Sequence, residues 1–382
     1  MTARIGPEGR KALDRLRELL DTPEFDVTAA ERSGRLPPGL LRALGEAGLL
    51  LPTWPADGGR PELSQRDLGA LCEELGGRWV SLLSVVTAHA MAAEAVRRWA
   101  ARETADTVLP AVAEGRIGLS FALSEPETGS DAAGVRTRAE PDGDGYRLTG
   151  VKTWLSGGQQ ADAFLVLAAS PQGPVTALVD RENPHVRVEP LDPLLGFRSA
   201  ALATLTLDGV AVPAARTVGR PGSGLTHVAS TALDHGRYRL AWGGVGLAQA
   251  ALRASAEHAL TRRQFGAPLL DHQLVRAKLS DMVVEVAAAR LLCAEAARLR
   301  EERLPEALVH TSMAKYRAAR TAAQSARDAV QLHGAAGCSP DSAVERYFRD
   351  AKLLEIIEGT EQIHQITIAG HIRRFLDSPA DR

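Results

Sequence analysis

The spacing of apolar residues changes period twice along this chain, and that double change limits the architectures open to it. From about residue 8 to 115 the period is helical. KALDRLRELL, PPGLLRALGEAGLL closing at Gly48, and SQRDLGALCEELGG with Ser64 placed as an N-cap all show it. RWVSLLSVVTAHAMAAEAVRRWA is apolar on every face, as a helix in the middle of a bundle would be. ARETADTVLPAVAEG reads as one more helix, kinked or interrupted at Pro110, and LPTWPADGGRP as a Pro/Gly loop. From Ile117 to about Val218 short alternating or β-branched runs take over, among them GLSFALSE, GYRLTGVKTWLSG, AFLVLAAS, VTALVD and ALATLTLDGVAV. PDGDGYRLTG reads as a hairpin; it lacks the ligand spacing of a calcium loop. Helical spacing returns near Gly224 and gives three long segments and a fourth broken at Gly359. The expectation is a mainly α protein with a central β-domain, divided as 1–116, 117–218 and 219–382, the last part a four-helix bundle.

Composition removes several functions. With 45 basic and 47 acidic residues the net charge is −2, and no basic block carries interleaved aromatics, so nucleic acid is not an expected partner. Cys72, Cys293 and Cys338 are widely spaced and form no CxxC pair, which fits reduced thiols rather than a disulfide frame or a zinc site. His333, His364 and His371 lack HExxH-type spacing, so no metal is expected. The first twenty residues have no apolar signal core and no run reads as a membrane span. The expected location is therefore the cytoplasm, without a membrane partner.

Four stretches carry possible chemistry, each with a plainer alternative. RDAKLLEIIEGT delivers Glu358 at the end of an apolar helical run, beside Gly359. Burial would raise the pKa of such an acid and suit it to general-base work, whereas a solvated last-turn Glu would do nothing. FALSEPETGSD joins a strand to a loop with Glu125, Pro126, Gly129 and Ser130, able to hold a polar cofactor or thioester or to be an ordinary turn. VKTWLSGG places Trp154 where it could stack on a planar cofactor or fill core. RRQFG sets two guanidiniums at a helix end, suited to pyrophosphate or to solvent. The glycines of AWGGVGLAQ lack G-x-G-x-x-G spacing and a βαβ context, so close helix packing is their expected role.

In order and spacing these segments, with LGFRSAALATLTLDGVAVP, QLHGAAG and VERYFRDAKLLEIIEGT, resemble the acyl-CoA dehydrogenase family of flavoproteins over roughly residues 40–372. The resemblance implies an α–β–α three-domain fold and an FAD site between the β-domain and the C-terminal bundle. Phe121, Leu123, Ser124, Trp154 and Ser156 match positions beside the flavin ring, and Ser130 one that touches cofactor and pantetheine arm. Thr360 and Gln362 match FAD contacts. Arg262, Phe265, Gln273 and Gln331 match residues that reach the FAD of a neighbouring subunit, which implies a homodimer or homotetramer. Asp234 and Arg237 match substrate-arm contacts, and Glu358 matches the catalytic base. Some members carry the base on the first C-terminal helix, where this chain has Gly236. Departures are Ser124 and Ser156 for Thr, and Ala335 for Gly.

The reaction implied is α-proton abstraction from an acyl-CoA or acyl-carrier-protein thioester with β-hydride transfer to flavin. Electrons would then pass to an electron-transfer partner or to oxygen. Ser81, Ser84, Thr87 and His89 match the helix lining the acyl pocket. They suggest a short or polar acyl group, unless the hydroxyls bond their own backbone. HGRYRLAWGGVG, FGAPLLDHQLV and RDAKLLEIIEG look most like the acyl-carrier-protein dehydrogenases of polyketide extender-unit pathways such as the methoxymalonyl route, which would oxidise a small hydroxylated group. A flavin oxidase or monooxygenase on the same scaffold, and a flavin-free carrier-binding subunit, are the other readings kept open.

Overall fold

The structure, a computed structural model, describes residues 5–54, 63–191 and 194–376; residues 55–61 of the Pro/Gly loop lie outside the described residues. The N-terminal part is helical: α1 (Pro7–Leu20), α2 (Val27–Ser33), α3 (Leu40–Glu46), α4 (Gln65–Arg78), α5 (Val80–Trp99) and α6 (Arg102–Ala113). Ser64 caps α4 reciprocally: its Oγ accepts from the Asp67 N–H at 3.1 Å, and Asp67 Oδ2 accepts from the Ser64 N–H at 3.3 Å. Of the two expectations for Pro110, an interruption is excluded, since α6 runs through it. The proline removes one donor late in the helix, while burial of Val108, Ala111 and Val112 on the same element holds the last turn in place. A second correction concerns α5. Among the described residues it alone is long and apolar enough to cross a membrane, yet nearly all of its side chains are buried in the core of the protein.

The middle of the chain forms β1 (Leu119–Ala122), β2 (Arg138–Asp142), β3 (Gly145–Leu155), β4 (Ala163–Ala168), β5 (Val175–Asp180), β6 (Val186–Pro190), β7 (Ala203–Val212) and β8 (Thr217–Val218). They make two four-stranded sheets, in the orders β1-β4-β5-β8 and β2-β3-β7-β6, with β1–β4 parallel and the other pairs antiparallel. Phe164, Val166, Val175, Ala177 and Val179 of the first sheet share a core with Leu148, Leu205, Leu207 and Val210 of the second. The alternate residues Ala163, Leu165 and Leu178 join the core that contains α5. Both faces of β4 are thus covered, which explains why AFLVLA is apolar throughout rather than alternating.

A π-helical turn, Gly224–Ala229, leads into α7 (Ser230–Thr261). After it come the small hairpin β9 (Arg263–Gln264) and β10 (Ala267–Pro268), then α8 (Gln273–Glu301), α9 (Ala307–His333), α10 (Ala343–Leu354) and α11 (Glu361–Ala369). The AWGGVGLAQ glycines let α7 approach α4 backbone to backbone. A Cβ on Gly246 would stand 1.9 Å from the Glu73 carbonyl oxygen, and one on Gly76 would stand 2.1 Å from that of Gly243. Only glycine fits such contacts. The LGFRSA segment ties the β-domain to α10: Asp350 Oδ1 accepts from the Phe197 N–H at 2.8 Å.

Candidate active site

The turn between α10 and α11 is built differently from the helix that the sequence suggests. α10 ends at Leu354, and Glu358 and Gly359 both take left-handed φ, +56° and +100°. A non-glycine residue there carries about 1–3 kcal/mol of strain, which surrounding contacts must offset. Two cations grip the turn: Arg237 Nε on α7 donates to the Glu358 carbonyl at 3.0 Å, and Lys315 Nζ on α9 donates to the Gly359 carbonyl at 2.9 Å. Thr360 then caps α11, its Oγ1 accepting from the Ile363 N–H at 3.4 Å. Glu358 Oε2 is buried without a hydrogen-bond partner among the described residues. Burial pushes the Glu358 carboxyl up to about 7, against the pull of Arg237 and Lys315. Gly236 lies directly against it: a Cβ there would be 2.9 Å from Glu358 Oε2 and 2.5 Å from Met91 Sδ.

A second group of predicted residues gathers where β1 meets β3. The Ser124 carbonyl accepts from the Thr153 N–H at 2.9 Å, and Ser120 Oγ donates to the Ser156 carbonyl at 2.9 Å. Ser156 Oγ and Ser84 Oγ of α5 are 2.8 Å apart. Trp154 sits at φ +63° where the β3–β7 register shifts, and 57% of its surface is exposed. Phe121, Leu123 and Ser124 are half-buried and Ser130 is exposed.

Glu125 belongs to the loop that the sequence reads either as a holder of cofactor or thioester or as an ordinary turn. It forms a fully buried ion pair with Lys152, Oε1 to Nζ 2.7 Å, and accepts from the Arg136 and Thr137 N–H groups at 2.7 and 2.8 Å. Burial alone would raise its pKa, but Lys152 and the Thr137 and Arg136 donors prevail and hold it at about 2. Glu125 therefore anchors the FALSEPETGSD loop to β3.

Along α5 the predicted pocket residues divide. Ser81 Oγ donates to Glu31 Oε1 at 2.5 Å, and His89 is clamped by the Leu119 N–H at its Nδ1 (3.2 Å) and by the Val112 carbonyl at its Nε2 (3.1 Å). Both are committed to structure, which corrects the expectation that they polarise an acyl pocket. Thr87 is buried and its Oγ1 has no partner among the described residues, so it does not bond its own backbone. With Ser84 and Met91 it lies on one helical stripe. That stripe joins Ser156 at one end to Gly236 and Glu358 at the other. Asp234, matched to a substrate arm, is half-buried and ion-paired to Arg300 at 2.6 Å. Arg262, Phe265, Gln273, Gln331 and Gln362 are exposed on the single chain, Phe265 at 96%. Among the described residues no three metal-ligating side chains cluster. Sequence reasoning missed Lys315, although a lysine within the buried row Thr311, Ala314, Ala318, Ala322 of α9 is a signal in itself.

Three consecutive family matches cover almost the whole chain: "Acyl-CoA dehydrogenase, N-terminal domain" over residues 7–116, "middle domain" over 120–210 and "C-terminal domain" over 222–372. The probable acyl-CoA dehydrogenase YngJ of Bacillus subtilis (strain 168) is 33% identical over 352 residues, 89% of this chain and 90% of that protein. The structure of butyryl-CoA dehydrogenase from Megasphaera elsdenii superposes with a TM-score of 0.92 at 27% identity, covering 98% of this chain and 100% of that one. FkbI, described as serving biosynthesis of the methoxymalonyl extender unit of the Fk520 polyketide immunosuppressant, has a TM-score of 0.86 at 34% identity. That match covers 94% of this chain and 99% of that one.

Proposed function

The chain belongs to the acyl-CoA dehydrogenase family of FAD-dependent oxidoreductases, which dehydrogenate acyl thioesters, and from that premise we propose that Glu358 is its catalytic base and a short or polar acyl group its substrate. One observation carries the proposal: a buried carboxylate oxygen without a partner, on a strained turn gripped from two helices. An acid so placed is held for a reacting group rather than for the fold.

The residues present fit the cofactor of the family. Trp154 takes a left-handed φ and is exposed, and Ser156, just past the end of the same strand, pairs its hydroxyl with that of Ser84. Phe121, Leu123, Ser124, Ser130, Trp154, Ser156, Thr360 and Gln362 would hold FAD from one chain, with Arg262, Phe265, Gln273 and Gln331 reaching it from a neighbouring copy. FAD, when bound, supplies the two-electron acceptor for the hydride leaving the acyl β-carbon. The chain's own contribution is proton transfer and exclusion of water. Desolvation raises the proton affinity of Glu358 toward that of an activated thioester α-carbon, so its Oε2 can take the α-proton. Arg237 and Lys315 keep the turn from relaxing as that proton arrives.

Thr87 supports the polar-acyl reading, because its buried hydroxyl offers a hydrogen bond on the stripe between Ser156 and Glu358. The motif resemblance to acyl-carrier-protein dehydrogenases of extender-unit pathways, with the likeness to FkbI, favours a carrier-protein thioester as the form in which the acyl group arrives. Flavin bleaching under anaerobic conditions with a panel of acyl-CoA and acyl-carrier thioesters tests both points. Oxygen uptake during turnover distinguishes a dehydrogenase from an oxidase. Glu358→Gln should leave a yellow, folded protein whose bleaching rate falls by at least a thousandfold; near wild-type bleaching removes Glu358 from the base role.

A further inference from the structure

The buried ammonium of Lys315 has no place in the scheme above beyond its one contact. Lys315 is 1% exposed, and its Nζ bonds only the Gly359 carbonyl; it enters no ion pair among the described residues. An isolated buried charge is costly to fold, and methionine would fill the same space without that cost. Among the described residues, three charged or titratable side chains face the Glu358–Gly359 turn, each from a different helix: Arg237 on α7, Lys315 on α9 and His364 on α11. α5 presents Met91, which carries no charge. Glu355 and Glu361 act on Lys315 more weakly than Glu358 does.

We propose that Lys315 is a positioning residue for the base: it fixes the left-handed turn through the Gly359 carbonyl and offsets the negative charge of the buried Glu358 carboxylate. The inference rests on Glu358 being the base. Burial drives Lys315 down and Glu358 up, both to about 7, so a change of charge on one is felt by the other near neutral pH. Arg237 also favours the charged Glu358 carboxylate but holds the preceding carbonyl, so the hold on Gly359 is what sets Lys315 apart.

The test uses flavin-loaded Lys315→Met and Lys315→Arg, with butyryl-CoA as the probe, bleaching followed by rapid mixing between pH 6 and 9.5. Lys315→Met is expected to bleach about tenfold more slowly at pH 7 with unchanged flavin content. Its half-maximal rate should move about one pH unit upward, so that the deficit shrinks above pH 9. Lys315→Arg should restore the midpoint. A Lys315→Met protein that bleaches within twofold of wild type at every pH overturns the inference, as does a uniform loss that Arg does not rescue. A second measurement needs no turnover: the melting temperature lost on Lys315→Met, or on Lys315→Gln where Met does not fold, compared in wild-type and Glu358→Gln backgrounds at pH 7. A larger loss in the wild-type background is expected; equal losses overturn the coupling. Should Glu358→Gln itself keep wild-type bleaching, the base assignment fails independently of anything Lys315 does.

Discussion

Gly236→Ala is the smallest change that should separate activity from stability in this protein. The added Cβ would stand 2.9 Å from Glu358 Oε2, 3.1 Å from its Cδ and 2.5 Å from Met91 Sδ. Ordinary contacts of this kind lie at about 3.5–4 Å, so the carboxylate must withdraw by roughly half an ångström and the sulfur by about one. Met91 can give, since its thioether turns about three bonds. Glu358 cannot give without rotating its carboxylate away from where it reacts, because the Glu358 and Gly359 carbonyls are tied to Arg237 and Lys315. Misplacement of a reacting group by about 1 Å can cost on the order of a hundredfold, so a tenfold to hundredfold slower proton abstraction is expected. Stability should not fall in step, because alanine is the better helix former by about 1 kcal/mol and Gly236 lies inside α7. The assay is the bleaching rate with butyryl-CoA, normalised to flavin content, beside a melting curve. Bleaching within twofold of wild type would show that the carboxylate does not rest against α7, and the geometry assigned to the base would be wrong.

Glu358 should also leave a signature in stability against pH. Its folded-state pKa is raised, to about 7, so the folded protein binds that proton more tightly than the unfolded chain does. The associated stability is complete below the ordinary carboxylate range near 4.3 and is lost as pH rises toward 7. Glu358→Gln escapes that loss, so its melting temperature should gain on wild type between about pH 4.5 and 7 and stay ahead above. Lys152→Met breaks the fully buried pair with Glu125 and should cost about 3–5 kcal/mol by urea denaturation, with flavin lost as the Ser124–Ser130 loop slackens. Val284 and Leu291, 64% and 61% exposed on α8, are expected to be covered by a second copy of the chain. Changing both to Lys should lower the mass measured by light scattering and the flavin content together.

How much of this could be read from residues alone follows from how local each cause is. The two changes of period were legible because burial imposes spacing directly: α5 is apolar on every face because every face is covered, and β4 because a sheet lies on one side and the helical core on the other. The Ser64 cap and the close-packing glycines were legible for the same reason, since each writes a residue type into a short stretch. Side chains with distant partners were misread. His89 looked free to polarise a pocket but is held by backbone groups at residues 112 and 119, and nothing next to Glu125 in the sequence shows that it pairs with a lysine 27 residues later. The base itself lies between these cases. Leu353, Leu354, Ile356 and Ile357 promise a helix as far as Gly359, and local propensity gives no reason to stop sooner. The helix stops at Leu354 because cations from two other helices grip the carbonyls of residues 358 and 359, which forces Glu358 into the left-handed region. The departure from local preference is therefore itself the mark of the site: a conformation that the local sequence does not favour survives only where long-range contacts hold it. Here those contacts converge on one carboxylate and leave its Oε2 unpartnered.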